Sequence, residues 1–77
     1  MLTVYVLVVV EPGQTNAVLE SLRRTPGLIE VREVMGPYDM VAKIQTDSLP
    51  DVPPILSGHI RTIPGITSTT SLVGFPK

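Results

Sequence analysis

Leu2-Thr3-Val4-Tyr5-Val6-Leu7-Val8-Val9-Val10 is almost continuously apolar and rich in β-branched residues. Such a run reads as a β-strand. Its length is far short of the roughly 20 apolar residues a membrane helix needs. It has no basic segment before it and no small-residue cleavage pattern after it, so a secretory leader is not expected. In a strand, successive side chains point to opposite faces. A strand apolar at both parities is therefore covered on both faces, which places it in the centre of its sheet. Glu11-Pro12-Gly13 then breaks it.

Working outward, Gln14 to Arg24 reads as a helix. Ala17, Val18, Leu19 and Leu22 form its apolar stripe. Thr15 or Asn16 is the expected cap, Glu20 is spaced to pair with Arg24, and Thr25-Pro26-Gly27 ends the helix. Leu28 to Met35 is a second strand, interrupted by Glu30, Arg32 and Glu33 as suits a sheet edge. Gly36-Pro37-Tyr38 forms a tight turn. Asp39 to Thr46 is a third strand, with Met40, Ala42 and Ile44 on one face and Val41, Lys43 and Gln45 on the other. The stretch Asp47 to Arg61 is expected to hold a short second helix of about two to three turns. Pro50, Pro53 and Pro54 exclude a helix interior there, but Pro53 or Pro54 fits a first turn. Ile55, Leu56, Ile60 and Ile63 are its buried stripe. Pro64-Gly65 stops it, and Ile66 to Val73 is the last strand.

The order is βαββαβ. The two βα units end alike, in Arg24-Thr25-Pro26-Gly27-Leu28 and Arg61-Thr62-Ile63-Pro64-Gly65-Ile66. Right-handed crossovers then predict an α+β, ferredoxin-like fold: a four-stranded antiparallel sheet with both helices on one face and the first and third strands central. Helices so placed leave one face of an apolar central strand bare, together with Val41. An open apolar sheet face marks an interface, and the economical partner is a second copy packed sheet to sheet.

The bulk composition agrees with a small protein that gains stability by assembly. The chain has 77 residues, enough for one domain. A domain of this size buries only about 60% of the surface its unfolded chain exposes. With no Cys and one His, neither disulfides, thiolate metal sites nor CxxC redox chemistry are available. Lys+Arg number 6 against 7 Asp+Glu, so no basic stripe exists to follow nucleic acid. Three aromatics, Tyr5, Tyr38 and Phe75, do not make a base-stacking platform. A cytoplasmic protein without cofactor, metal, membrane or direct nucleic-acid partner is the expectation.

Two segments carry polar chemistry. Gly36-Pro37-Tyr38-Asp39 fits an ordinary hairpin turn, where Gly, Pro and Asp are common. The same residues also fit a grip for a free amino acid, with backbone N–H groups facing its carboxylate and Asp39 facing its ammonium. Thr67-Ser68-Thr69-Thr70-Ser71 reads either as a solvated edge strand or as the polar wall of a pocket at a subunit junction. Strict alternation puts Thr67, Thr69 and Ser71 on one face, Ser68 and Thr70 on the other. His59 reads as packed or snorkelling at the margin of the second helix's stripe. Arg23, Arg24 and Arg61 sit where helix dipoles favour cations. No nucleophile–base pair and no glycine-rich phosphate loop is present, and the loop after the first strand, Glu11-Pro12-Gly13-Gln14, lacks the Arg an acylphosphatase-like site needs.

These residues together resemble the effector (RAM) domain of the Lrp/AsnC transcription regulators. The resemblance rests on the Val-rich first strand followed by Pro12-Gly13, on Pro26-Gly27-Leu28 leading to Val34-Met35-Gly36, on Gly36-Pro37-Tyr38-Asp39-Met40, and on Ile63-Pro64-Gly65-Ile66 followed by Thr69 and Ser71. It covers Leu2 to about Val73; Met35 stands where the family pattern usually has Thr. The resemblance implies dimers joined through their sheets, rings of eight or ten subunits, and an amino-acid effector bound between dimers. Carried over, the ligand-binding residues are Gly36, Pro37, Tyr38 and Asp39, with Thr69 and Ser71 from a neighbour. It implies an amino-acid-responsive regulatory module rather than an enzyme, alone or mixed with full-length regulators. Because Met1 opens the sensing domain itself, the expectation is a stand-alone form without a helix-turn-helix. The alternatives are a dimeric αβ-barrel enzyme of the monooxygenase or isomerase kind, a ligand-free assembly domain, or an ACT domain. An ACT domain favours its ligand loop after the first strand, whereas the best-matched corner here follows the second.

Overall fold

The computed structural model describes residues 1–74. Strand β1 (Leu2–Val10) is followed by helix α1 (Thr15–Leu22), strands β2 (Leu28–Glu33) and β3 (Met40–Thr46), a broken helical segment, and strand β4 (Ile66–Gly74). The sheet order is β2-β3-β1-β4, with every neighbouring pair antiparallel. This is the ferredoxin-like arrangement, with β1 and β3 central as the sequence predicts.

The core lies between one sheet face and the helical layer. Val4, Val6, Val8 and Val10 of β1 and Met40, Ala42 and Ile44 of β3 pack against Val18, Leu22, Val52 and Ile60. The opposite face carries Tyr5 between Lys43 and Leu72, and Leu7 between Val41 and Thr70. Tyr5 is 39% and Leu72 52% exposed in the single chain. The bare apolar face expected from β1 is thus present.

The α1 helix is shorter than its apolar periodicity indicates. Its cap is Gln14, whose side chain makes no capping bond, so neither Thr15 nor Asn16 serves that role. Ala17 faces solvent, leaving Val18 and Leu22 as the fully buried positions. Glu20 pairs with Arg23 at 3.0 Å, one residue earlier than the spacing suggested. The helical phase ends at Leu22, which takes Arg24 out of reach along the same face.

The second helical segment is broken three ways: a 3₁₀ turn at Leu49–Asp51, one α turn (α2) at Val52–Ile55, and a π turn at Leu56–Ile60. Pro53 and Pro54 stand in the first α turn, where their missing N–H groups have no intrahelical partner to lose. The π turn closes through the Arg61 N–H donating to Leu56 O at 2.9 Å. That wider turn still delivers Ile60 to the core at 0% exposure. His59 lies on its outer side, exposed rather than packed at the margin.

The two Pro-Gly corners are copies of one structure. Gly27 and Gly65 have φ of +80° and +98°. Each lends its carbonyl to the end of the neighbouring central strand: Gln45 N–H donates to Gly27 O at 2.9 Å, and Glu11 N–H to Gly65 O at 2.8 Å. The turns before them match as well, with Thr25 N–H donating to Leu22 O and Ile63 N–H to Ile60 O. The short sequence echo between the two βα units is therefore a genuine internal repeat of geometry.

Candidate functional site

The β2–β3 connection is wider than a tight turn. β2 leaves the ladder after Glu33, so Val34 and Met35 belong to the loop rather than the strand. The loop closes where Val34 N–H donates to Asp39 O at 3.0 Å. Gly36 sits at φ +142°, a conformation open to glycine but strained for residues with a Cβ. Gly36, Pro37 and Asp39 are exposed, Tyr38 is half-buried, and Met35 stands wholly in solvent.

Asp39 is tied to β1 at two points. Its N–H donates to Val8 O at 2.8 Å, and its carboxylate Oδ2 accepts the Val10 N–H at 2.7 Å. The side chain thus replaces the backbone carbonyl that β3 would supply had it continued one rung further. Part of the Asp39 carboxylate therefore serves the fold, a role local sequence reading did not foresee. The Asp39 N–H is likewise committed to Val8. The loop donors left are those of Met35, Gly36 and Tyr38, which meet no acceptor among the described residues, while Pro37 has none.

The hydroxyl-bearing strand β4 lies on the other flank of β1. Val8 pairs with Met40 on one side and Thr69 on the other. At the usual inter-strand spacing, those two positions are about 10 Å apart across β1. Thr69 and Ser71 are half-buried and share the helix-side face with Val8 and Val6. Thr67 does not join them, contrary to strict alternation. The register shifts between Val9, which pairs with Ser68, and Val10, which pairs with Ile66. Thr67 is the extra residue of that bulge, and its hydroxyl donates to Val9 O at 3.1 Å. The run of hydroxyls hides the bulge in the sequence, because no residue type there marks the change of phase.

Thus one chain brings Asp39 and the β4 hydroxyls to the same end of the sheet but keeps them on opposite sides of β1. An open depression of about 220 Å³, lined by Pro26, Gln45, Asp47, Asp51 and Ile55 among others, lies at the far end of β3 from Asp39. On the bare sheet face, Arg32 Nη2 meets Glu30 Oε2 at 3.0 Å beside Lys43. The Arg32 hydrogen bond and charge hold the Glu30 carboxyl below its ordinary value. Among the described residues, no cluster of three or more His, Cys, Asp or Glu side chains is placed to hold a metal ion. No described helix is long and apolar enough to cross a membrane.

The profile of the Lrp/AsnC ligand binding domain matches residues 3–75. The chain belongs to this family. The HTH-type transcriptional regulator FL11 of Pyrococcus horikoshii is 35% identical over 69 residues, covering 90% of this chain and 45% of the regulator. The chain accordingly spans about half the length of the curated regulators it matches. The crystal structure of FFRP-DM1 superposes with a TM-score of 0.90 at 32% identity, covering 97% of this chain and 100% of that one. The Neisseria meningitidis regulator NMB0573, solved as its L-Met complex, shares the fold at a TM-score of 0.88 and 12% identity. That match covers 99% of this chain and 51% of the regulator. Of the segments on which the resemblance rests, Gly36–Asp39 lies in the β2–β3 loop, and Ile63-Pro64-Gly65 leads directly into strand β4, which carries Ile66 to Ser71.

Proposed function

We propose that this Lrp/AsnC domain is a regulatory module that binds a free amino acid and acts as an oligomer. One observation carries the reading. The exposed corner carries the Asp39 carboxylate in the same short loop as the N–H groups of Gly36 and Tyr38, which have no acceptor among the described residues. An α-amino acid presents the complementary pair, an ammonium for Asp39 and a carboxylate for the two donors. Thr69 and Ser71, from a neighbouring copy, complete the site when dimers meet. The L-Met held by the Neisseria regulator supports an amino acid as the ligand class.

Assembly follows from the bare sheet face. Tyr5, Leu7, Val9, Val41 and Leu72 present apolar surface with no helix over it. Two copies packed through this face form the dimer, and dimers joined near the ligand corner form a ring of eight or ten. Pairing with full-length regulators of the family is a second use of the same face. Most of the curated relatives are HTH-type transcriptional regulators, and the match to a homocitrate synthase covers only 13% of that enzyme, which weighs against the enzymatic alternative.

The test is isothermal calorimetry with the twenty amino acids, first mixed and then singly, with light-scattering mass in each condition. We expect saturable binding of at least one amino acid and a mass of two chains or a multiple. No heat and no thermal shift with any of them would overturn the sensor reading.

A further inference from the structure

In one chain, the two elements that contribute to the proposed amino-acid sites, the Gly36–Asp39 corner and strand β4, grip a single peptide group. The carbonyl of Val9 and the N–H of Val10 belong to one planar unit. On the β3 side, Asp39 Oδ2 accepts that N–H at 2.7 Å. On the β4 side, the Thr67 hydroxyl donates to that carbonyl at 3.1 Å. Both contacts come from side chains, at the place where both ladders falter. β3 has given way to the loop at Asp39, and β4 carries its bulge at Thr67.

We propose that Thr67 is a positioning residue for the amino-acid site, acting through the Val9–Val10 peptide on Asp39 and through the bulge on Thr69 and Ser71. The inference rests on the amino-acid reading of the Gly36–Asp39 corner. Three physical reasons support it. A peptide group transmits rotation rigidly, so a shift of Asp39 that turns the Val10 N–H also turns the Val9 carbonyl. A hydrogen bond accepted at a carbonyl polarises its N–H, so the two contacts strengthen each other. The bulge also sets the phase of β4. Ile66 and Thr69 lie on the same face, three residues apart, only because Thr67 is left out of the pairing. Losing the Thr67 bond frees the bulge to slip, and a slip of one residue turns Thr69 and Ser71 to the other face. A ligand ammonium that fixes Asp39 would thereby steady the hydroxyl-bearing strand that the same chain lends to a neighbouring site.

Thr67→Val removes the hydroxyl and keeps the shape, while Thr67→Ser restores the hydroxyl. Amino-acid affinity, measured by calorimetry with the amino acids the wild type binds, should fall about fivefold in Thr67→Val, a typical size for coupled neighbours. It should return to within about twofold of the wild type in Thr67→Ser. In urea, the drop in unfolding midpoint for Thr67→Val combined with Asp39→Ala should be smaller than the sum of the two single drops. Wild-type affinity in Thr67→Val, or additive midpoint changes, would overturn the proposal. If the wild type binds no amino acid, the sensor reading falls and the urea cycle decides alone. Non-additivity then supports the shared peptide grip and additivity overturns it.

Discussion

In the proposed function Asp39 divides its work between fold and ligand, and two substitutions separate these. Asparagine keeps an oxygen to accept the Val10 N–H but loses the charge; alanine loses both. We expect Asp39→Ala to lower unfolding stability by about 1–2 kcal/mol in a urea titration, and Asp39→Asn by well under half of that. Both should lose amino-acid binding by calorimetry, because the ammonium needs the charge. Equal stability of the two variants would mean the 2.7 Å contact contributes nothing. Thr25 makes the opposite case. Its hydroxyl is buried without a partner among the described residues, and the residue is only 6% exposed. The geometric repeat puts Ile63 at the matching position of the second unit. Thr25→Val should therefore raise stability by about 1 kcal/mol, measured by thermal and urea unfolding; a loss would imply a hydrogen bond unseen in the single chain.

Among the elements, the Pro-Gly corner before β2 determines how tightly that edge strand closes on β3. A Cβ at Gly27 would stand 2.5 Å from the Gln45 carbonyl oxygen, at a φ of +80°. The obstacle is backbone engaged in the 2.9 Å bond back to Gly27, so it cannot swing aside. Gly27→Ala should cost about 2–3 kcal/mol in unfolding free energy, combining backbone strain with overlap. Gly36→Ala is the control: a Cβ there meets nothing within 4 Å, so only the strain of φ +142° remains. If Gly27→Ala were no worse than Gly36→Ala, the corner would be looser than its geometry indicates. The broken second helix belongs to this scale too. Three prolines announced it in the sequence, but the π turn that returns Ile60 to the core carries no local signature.

For the whole molecule, a bare apolar sheet face is the feature that calls for a partner. Tyr5 lies in its middle, beside Lys43 and Leu72. Tyr5→Lys places a second cation next to Lys43, and burying that pair between two sheets is unfavourable. Because Tyr5 is 39% exposed in the single chain, the fold itself should survive. We expect light scattering to report the mass of one chain for this variant with an unchanged far-UV circular dichroism spectrum. An assembly of wild-type mass would show that the sheet face is not the interface.

The sequence by itself determined the element order, the central place of β1 and β3, the repeated Pro-Gly corners and the open apolar face. These follow from local rules: alternation along a strand, proline's missing donor, and apolar residues at both parities of one segment. The family was legible too, through the order and spacing of motifs along the chain. Tertiary structure alone decided what Asp39 and Thr67 hold and which way the β4 hydroxyls face. The reason is that both depend on register. A bulge moves one residue out of pairing and reverses every side chain beyond it, and neither Thr67 nor its hydroxylated neighbours differ in type enough to betray where that happens. The Val9–Val10 peptide, unremarkable in a run of valines, becomes the meeting point of two elements only when three strands lie side by side.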